Sequence, residues 1–245
     1  MEKKIILLAS LLLFFLGGCG EKEKKESGKP NGEALKEVSD ETGNEKVVQE
    51  EKPQPLIEEE NEPFLLTEEN AIDFFFDYAK NVKEDKVRLT TSLGKFTIQL
   101  YNNVPYHKAN FIYLAKKGYF DNTQFHRVVP DFIIQGGNSD DRETSKKRKA
   151  IGRYLLPPDT RKGHKHHRGT ISMPSSERDN PHKLASPYEF FIVVTKPGSY
   201  HLDGSYTPFG RVIEGMDIVD KINQVPIDQG EWPMQNVYIL KAEVL

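Results

Sequence analysis

The stretch Phe125-His126-Arg127-Val128-Val129-Pro130-Asp131-Phe132-Ile133-Ile134-Gln135-Gly136-Gly137 decides the fold. Two short apolar runs flank Pro130-Asp131-Phe132, a pattern that predicts a three-residue hairpin loop. Such a loop pairs Val129 with Ile133 and Arg127 with Gln135. Directly opposed side chains on one face stand about 4.5–5.5 Å apart at Cβ, close enough for the Gln135 amide to hold the Arg127 guanidinium. Period-two geometry puts Phe125 and Val129 on that same face. An arginine is therefore expected among apolar groups beside a neutral amide, with no carboxylate nearby in sequence to cancel its charge. By geometry alone, a surface arginine fits the pattern equally well.

Working outward, Val87 and Leu89, a turn at Ser92-Leu93-Gly94, and Phe96, Ile98 and Leu100 alternate as a half-buried hairpin requires. A helix is predicted from about His107 to Lys117, closed by Gly118 in the left-handed position that suits glycine. Strand-like runs follow at 125–129, 132–136, 169–173, 189–194 and 207–213, then a short helix from about Met216 to Ile222 and a last strand near 237–244. Ahead of them Thr67 opens a helix-like stretch. There Ile72, Phe75, Phe76, Ala79 and Val82 take the spacing of one buried face. The pattern predicts a mainly β chain: a closed antiparallel barrel capped by helices.

The N-terminal part is of a different kind. Lys3 and Lys4 precede an apolar run from Ile5 to Leu16 that is short for a membrane span and reads as a signal peptide over residues 1–18. Leu16-Gly17-Gly18-Cys19 resembles the lipobox of bacterial lipoproteins, which implies acylation of Cys19 and an extracytoplasmic, lipid-anchored location at a bacterial membrane. The alternative is an anchor helix with an incidental cysteine. Cys19 is the only cysteine, so with it acylated no thiol remains for disulfides or thiolate metal sites. Residues 20–63 contain no Phe, Trp or Tyr and carry 14 acidic against 7 basic side chains. Such a composition predicts a disordered acidic tether over 19–63. A helical extension over 64–84 and a single domain over 85–245 complete the expected organisation. The mild positive balance of that remainder is no nucleic-acid footprint, which needs clustered basic residues.

The quoted stretch resembles the cyclophilin signature F-H-R-V-x-x-x-F-x-x-Q-G-G at every fixed position. The resemblance continues through Gly169-Thr170-Ile171-Ser172-Met173, Phe190-Phe191-Ile192, Leu202-Asp203-Gly204, Phe209-Gly210 and Glu214-Gly215-Met216, covering roughly residues 85–245. It implies an eight-stranded antiparallel barrel with two helices and peptidyl-prolyl cis/trans isomerase activity on proline-containing polypeptides. It implies catalytic roles for Arg127, Gln135 and His126, and a proline pocket of Phe132, Ile133, Phe191 and Leu202 with His126 and Tyr206 at its rim. Neither metal nor cofactor is required. Three substrate-contact positions depart from the family pattern: Ser175 stands for an asparagine, Glu189 for a glutamine, and His201 for the tryptophan of many eukaryotic members. Glu189 is expected to bring a negative charge near the groove.

Two features stand apart. His164, His166 and His167 lack a thiolate or second ligand cluster, and a metal-carrier reading of them is set aside. Lys146-Lys147-Arg148-Lys149 reads as a solvated loop, with an acidic partner or lipid headgroups as the alternative. The expected function is an isomerase assisting the folding of exported proteins, acting as a monomer. The competing reading is a non-catalytic module that captures proline segments in the same groove.

Overall fold

The computed structural model describes residues 64–175, 179 and 181–245. The signal peptide, Cys19 and the tether lie outside the described residues. The expected first hairpin forms from β1 (Lys86–Thr91) and β2 (Gly94–Leu100), with Val87 opposite Ile98 and Leu89 opposite Phe96. All four are buried. After α2 (Pro105–Lys116) the chain turns at Gly118, whose φ of +64° is the left-handed geometry expected of it. Next come β3 (Thr123–Gln124), β4 (Arg127–Val129), β5 (Ile133–Gly136) and α3 (Arg142–Ile151). Then follow β6 (Thr170–Ser172), β7 (Phe190–Val193) and a 3-10 turn at Tyr200–Leu202. The chain ends with β8 (Pro208–Glu214), α4 (Met216–Asn223) and β9 (Tyr238–Val244).

The strands join in the order β3-β9-β1-β2-β8-β6-β7-β5-β4, every pair antiparallel. The β3 end of this order meets the chain just past β5, where Gln124 N donates to Asn138 O at 2.8 Å, and the outer edge of β4 is met by the loop at Glu231, whose carbonyl accepts from Val128 N at 2.8 Å. Contacts of this kind leave few unpaired strand edges. Among the described residues there are nine strands where the resemblance implied eight. Beside α1 (Ala71–Asn81), three helices stand where it implied two.

The extra helix is α3, and it corrects the reading of 146–149 as a solvated loop. Asp141 accepts from Thr144 N at 2.7 Å and caps it. Thr144 and Ile151 are buried beneath it. Lys147 turns inward, donating to Gly118 O at 3.0 Å and Asp121 O at 2.6 Å, carbonyls just beyond the end of α2. The charged run had hidden this inward face, because lysine and arginine can bury their stems while their heads find acceptors.

The expected face of α1 is also corrected. Ala71 and Phe75 are buried, with Phe74, Tyr78 and Val82 packed beside them, whereas Ile72 and Phe76 are 46% and 54% exposed. The segment is apolar at nearly every position from 71 to 76, so two faces had similar periodicity. The aromatic surface of α2 selects between them: Phe74, Phe75 and Tyr78 pack around Tyr113 at ring distances of 5.2, 5.8 and 5.5 Å. Phe75→Ala is therefore expected to lower unfolding free energy by about 3–5 kcal/mol, and Phe76→Ala by about 1 kcal/mol or less. Urea denaturation measures both, and equal losses would contradict this orientation of the helix.

Candidate active site

The β4–β5 hairpin has the expected register, Arg127 opposite Gln135 and Val129 opposite Ile133. β7 extends both rows, with Phe191 beside Gln135 and Val193 beside Ile133. Strand alternation then sorts the side chains. Val128, Ile134 and Ile192 point into the main core and are fully buried. Arg127, Val129, Ile133, Gln135, Phe191 and Val193 share the opposite face. On that face Ile133, Phe191 and Val193 form a second apolar cluster, with Val129, Phe132, Leu202 and Tyr206 packed against it. Phe190 belongs to the main core and Phe191 to the second cluster, as alternation predicts. Phe125 is corrected: it precedes the regular strand and packs in the main core, away from the face of Arg127.

The second cluster brings together the expected pocket residues. Tyr206 meets the Phe191 ring edge-on at 5.6 Å, and His201 stacks on Phe132 at 5.4 Å. Ser175 lies further along, across an isolated bridge from Ala185. Asn223 of α4, which the sequence reading did not single out, clamps the hairpin loop from below. Its Nδ2 donates to Val129 O at 2.8 Å and Ile133 O at 3.2 Å, and its Oδ1 accepts from Asp131 N at 2.9 Å. Its only sequence signal is a polar residue at the end of an apolar helical face.

Beneath Phe191 lies a hydrogen-bond chain. His166 Nδ1 donates to Asp203 Oδ1 at 2.8 Å, because a carboxylate can only accept, and Nε2 then accepts from Ser172 Oγ at 2.9 Å. Ser172 and His166 are both 0% exposed, so the arrangement offers no nucleophile to a substrate. Burial lowers the basicity of His166 despite the opposing Asp203 hydrogen bond, and its ring lies parallel to Phe191 at 6.1 Å. The other two histidines diverge: His164 stacks on Tyr101 and His167 bonds Tyr200.

The surroundings of Arg127 correct two expectations. Gln135 does not hold it, and a carboxylate does face it. Arg127 Nε donates to Glu231 Oε2 at 2.7 Å, both side chains being about 40% exposed. Glu231 lies 104 residues away, which is why local sequence gave no sign of it. The terminal nitrogens of Arg127 have no hydrogen-bond partner among the described residues.

Gln135 turns instead to Glu189, donating at 2.9 Å. Asn138 donates to the other Glu189 oxygen at 3.1 Å, Arg148 of α3 lies 3.5 Å away, and His126 Nε2 is 3.4 Å from Oε2. The Glu189 charge is thus present, as expected, but is enclosed by protein donors. Burial pushes its carboxyl up, and the hydrogen bonds and charges of His126, Gln135 and Arg148 outweigh that, so it titrates below its ordinary value. His126 itself is buried, its ring 5.9 Å from Trp232. It sits at this polar end of the face rather than on the apolar rim.

A concavity of about 570 Å³ lies elsewhere, between Leu65 and Leu66 and the end of α3. Its lining includes Tyr154, Pro187 and Tyr188 together with Arg148 and Arg153, and none of the residues of the hairpin face takes part in it.

Residues 86–244 match the family model of the cyclophilin type peptidyl-prolyl cis-trans isomerase/CLD domain. A peptidyl-prolyl cis-trans isomerase of Arabidopsis thaliana is 36% identical over 162 residues, covering 65% of this chain and 93% of that protein. One from Acinetobacter baylyi is 36% identical over 166 residues, covering 64% and 84%. Against peptidyl-prolyl cis-trans isomerase-like 2 of Rhizopus delemar, 33% identical, the match takes in 69% of this chain and spans 30% of that protein. The crystal structure of a Cryptosporidium parvum cyclophilin type isomerase aligns with a TM-score of 0.56 at 26% identity, covering 66% of this chain and 98% of that one. Barrel, hairpin and relatives agree on a peptidyl-prolyl cis/trans isomerase. The chain belongs to the cyclophilin-type family.

Two outcomes follow from this geometry. Glu189 titrates below 4.5 in the folded state, so the stability it contributes is present above that ordinary value and is lost as pH falls through the folded value. The stability difference between wild type and Glu189→Gln should hold at neutral pH and shrink on acidification below about 4.5. A difference unchanged down to about pH 3 would show that the carboxylate is not held this way. Asn223→Ala should cost about 1–3 kcal/mol in urea denaturation, since it strips partners from Asp131 N and two carbonyls. A neutral result would mean that the clamp is dispensable.

Proposed function

We propose that Arg127 is the catalytic donor of this isomerase and that Phe132, Ile133, Phe191, Leu202 and Tyr206 seat the substrate proline. The observation that carries the reading is the shared sheet face: a cation with unengaged terminal nitrogens stands one row from an apolar slot. Rotating a peptide bond costs about 18–20 kcal/mol because its resonance must be broken. The X-Pro bond consequently isomerises over tens to hundreds of seconds unaided. In the twisted state the proline nitrogen becomes pyramidal and regains a lone pair. A cationic N–H directed at that lone pair interacts more strongly with the twisted bond than with the planar one, so it lowers the barrier selectively. Arginine suits this task because it stays protonated and presents a rigid fork of donors.

An acceleration of about 10⁵ requires roughly 7 kcal/mol, whereas one preorganised donor supplies about 3–4 kcal/mol. The slot contributes the rest by holding the proline ring while the preceding carbonyl swings. Phe132, His201 and Leu202 face the incoming chain, and Ser175 and Glu189 bound the groove further out. Glu189 and Gln135 act together with His126 as the groove's polar end. No proton is transferred in the reaction, so none of these groups acts as an acid or base.

The reading extends to location. Lys3, Lys4, the apolar run and Leu16-Gly17-Gly18-Cys19 support export and acylation at Cys19. The isomerase then acts as a membrane-tethered monomer on exported, proline-containing polypeptides. Labelling cells with a radioactive fatty acid should mark the wild-type protein and not Cys19→Ser; equal labelling would sink the anchor.

A non-catalytic capture module is the alternative, and a proline-peptide isomerisation assay separates the two. Wild type should turn over, and Phe132→Ala should lose about tenfold or more in kcat/KM through loss of the slot. A wild-type protein that binds such peptides without accelerating their isomerisation would leave only the capture role.

A further inference from the structure

We infer that Glu231 is the positioning residue of the catalytic guanidinium, a role the sequence pattern would give to Gln135. The inference rests on the proposed role of Arg127. Gln135 faces Arg127 across the hairpin, yet its amide is committed to Glu189. The group in contact with the guanidinium is Glu231, which takes the Nε hydrogen at 2.7 Å.

The loop that carries Glu231 is built to hold it there. Asp228 Oδ1 accepts from Gly230 N at 2.8 Å and from Trp232 N at 2.9 Å, and Glu231 N donates to Asp228 O at 3.1 Å. Asp228 N closes the turn on Trp232 O at 2.9 Å. Glu231 itself has a φ of +65°, a conformation disfavoured for a residue with a side chain, which persists only where surroundings enforce it. The loop is also fastened to the catalytic strand, since Val128 N donates to Glu231 O at 2.8 Å. Main chain and side chain of one residue therefore grip two consecutive positions of β4.

The geometry of the grip matters. A carboxylate that accepts from both terminal nitrogens occupies the donors a substrate needs. Accepting from Nε fixes the plane of the fork and leaves the terminal nitrogens to the substrate. The carboxylate also lessens the cost of holding a cation beside an apolar slot.

The test is steady-state kinetics on a proline peptide, with thermal unfolding as the control for folding. Glu231→Ala should lower kcat about tenfold with KM nearly unchanged, while its melting temperature stays close to wild type. Glu231→Gln retains an oxygen acceptor for Nε and should recover most of that loss. Lysine has no Nε donor, so in an Arg127→Lys background Glu231→Ala should change kcat by less than about twofold. A full rate in Glu231→Ala overturns the inference, as does the same tenfold loss in the Arg127→Lys background. If Glu231→Ala is fully active while Arg127→Ala is impaired, Glu231 has no positioning role and Arg127 keeps its own. If Arg127→Ala is itself fully active, the reading of Arg127 falls and this inference with it.

Discussion

The register of the β4–β5 hairpin is the constraint on which the rest of the site depends. Side chains alternate faces along a strand, so a slip of one residue would send Arg127 and Ile133 into the core and bring Val128 and Ile134 out to solvent. Three things fix the register. Fully buried Val128, Ile134 and Ile192 demand the inner face. Asp131 takes up the positive φ of the loop at +58°. Asn223 satisfies both backbone carbonyls at the loop's base. The apolar slot and the cation are thereby two rows of one sheet surface, and no mobile segment is needed to assemble them.

Charge is distributed over that surface in two balanced groups. At one end Glu189 draws in Gln135, Asn138, His126 and Arg148, so a buried carboxylate is surrounded by donors, as burial of a charge requires. Across the hairpin from Gln135, Arg127 and Glu231 form a half-exposed pair. Pairs of that kind contribute only about 0–1 kcal/mol to stability, so what this one supplies is orientation. α3 joins the first group through Arg148, whose Nε also bonds Tyr119 at 2.8 Å. The helix therefore supports the groove although it lies outside the hairpin.

Much of this could be read from residue order. The β1–β2 hairpin, the end of α2 at Gly118, the Arg127–Gln135 register and the opposite faces of Phe190 and Phe191 all follow from period-two patterning and turn chemistry, which are local. What was hidden depends on partners distant in sequence. The face of α1 is chosen by Tyr113, and the inward side of α3 by carbonyls near Asp121. Asn223 acts on a loop more than ninety residues away. The expectation of an uncompensated Arg127 failed for the same reason, since Glu231 reaches it only after the barrel closes. Phe125 lies in the main core because regular alternation begins only at Arg127.

The central claim concerns charge rather than shape: a guanidinium stabilises the twisted amide because it is cationic. Replacing Arg127 with citrulline, which keeps the planar outline and removes the charge, tests this directly in a proline-peptide assay. The account predicts a fall in kcat on the order of 10²-fold with peptide binding little altered. A citrulline variant that isomerises at the wild-type rate would contradict it.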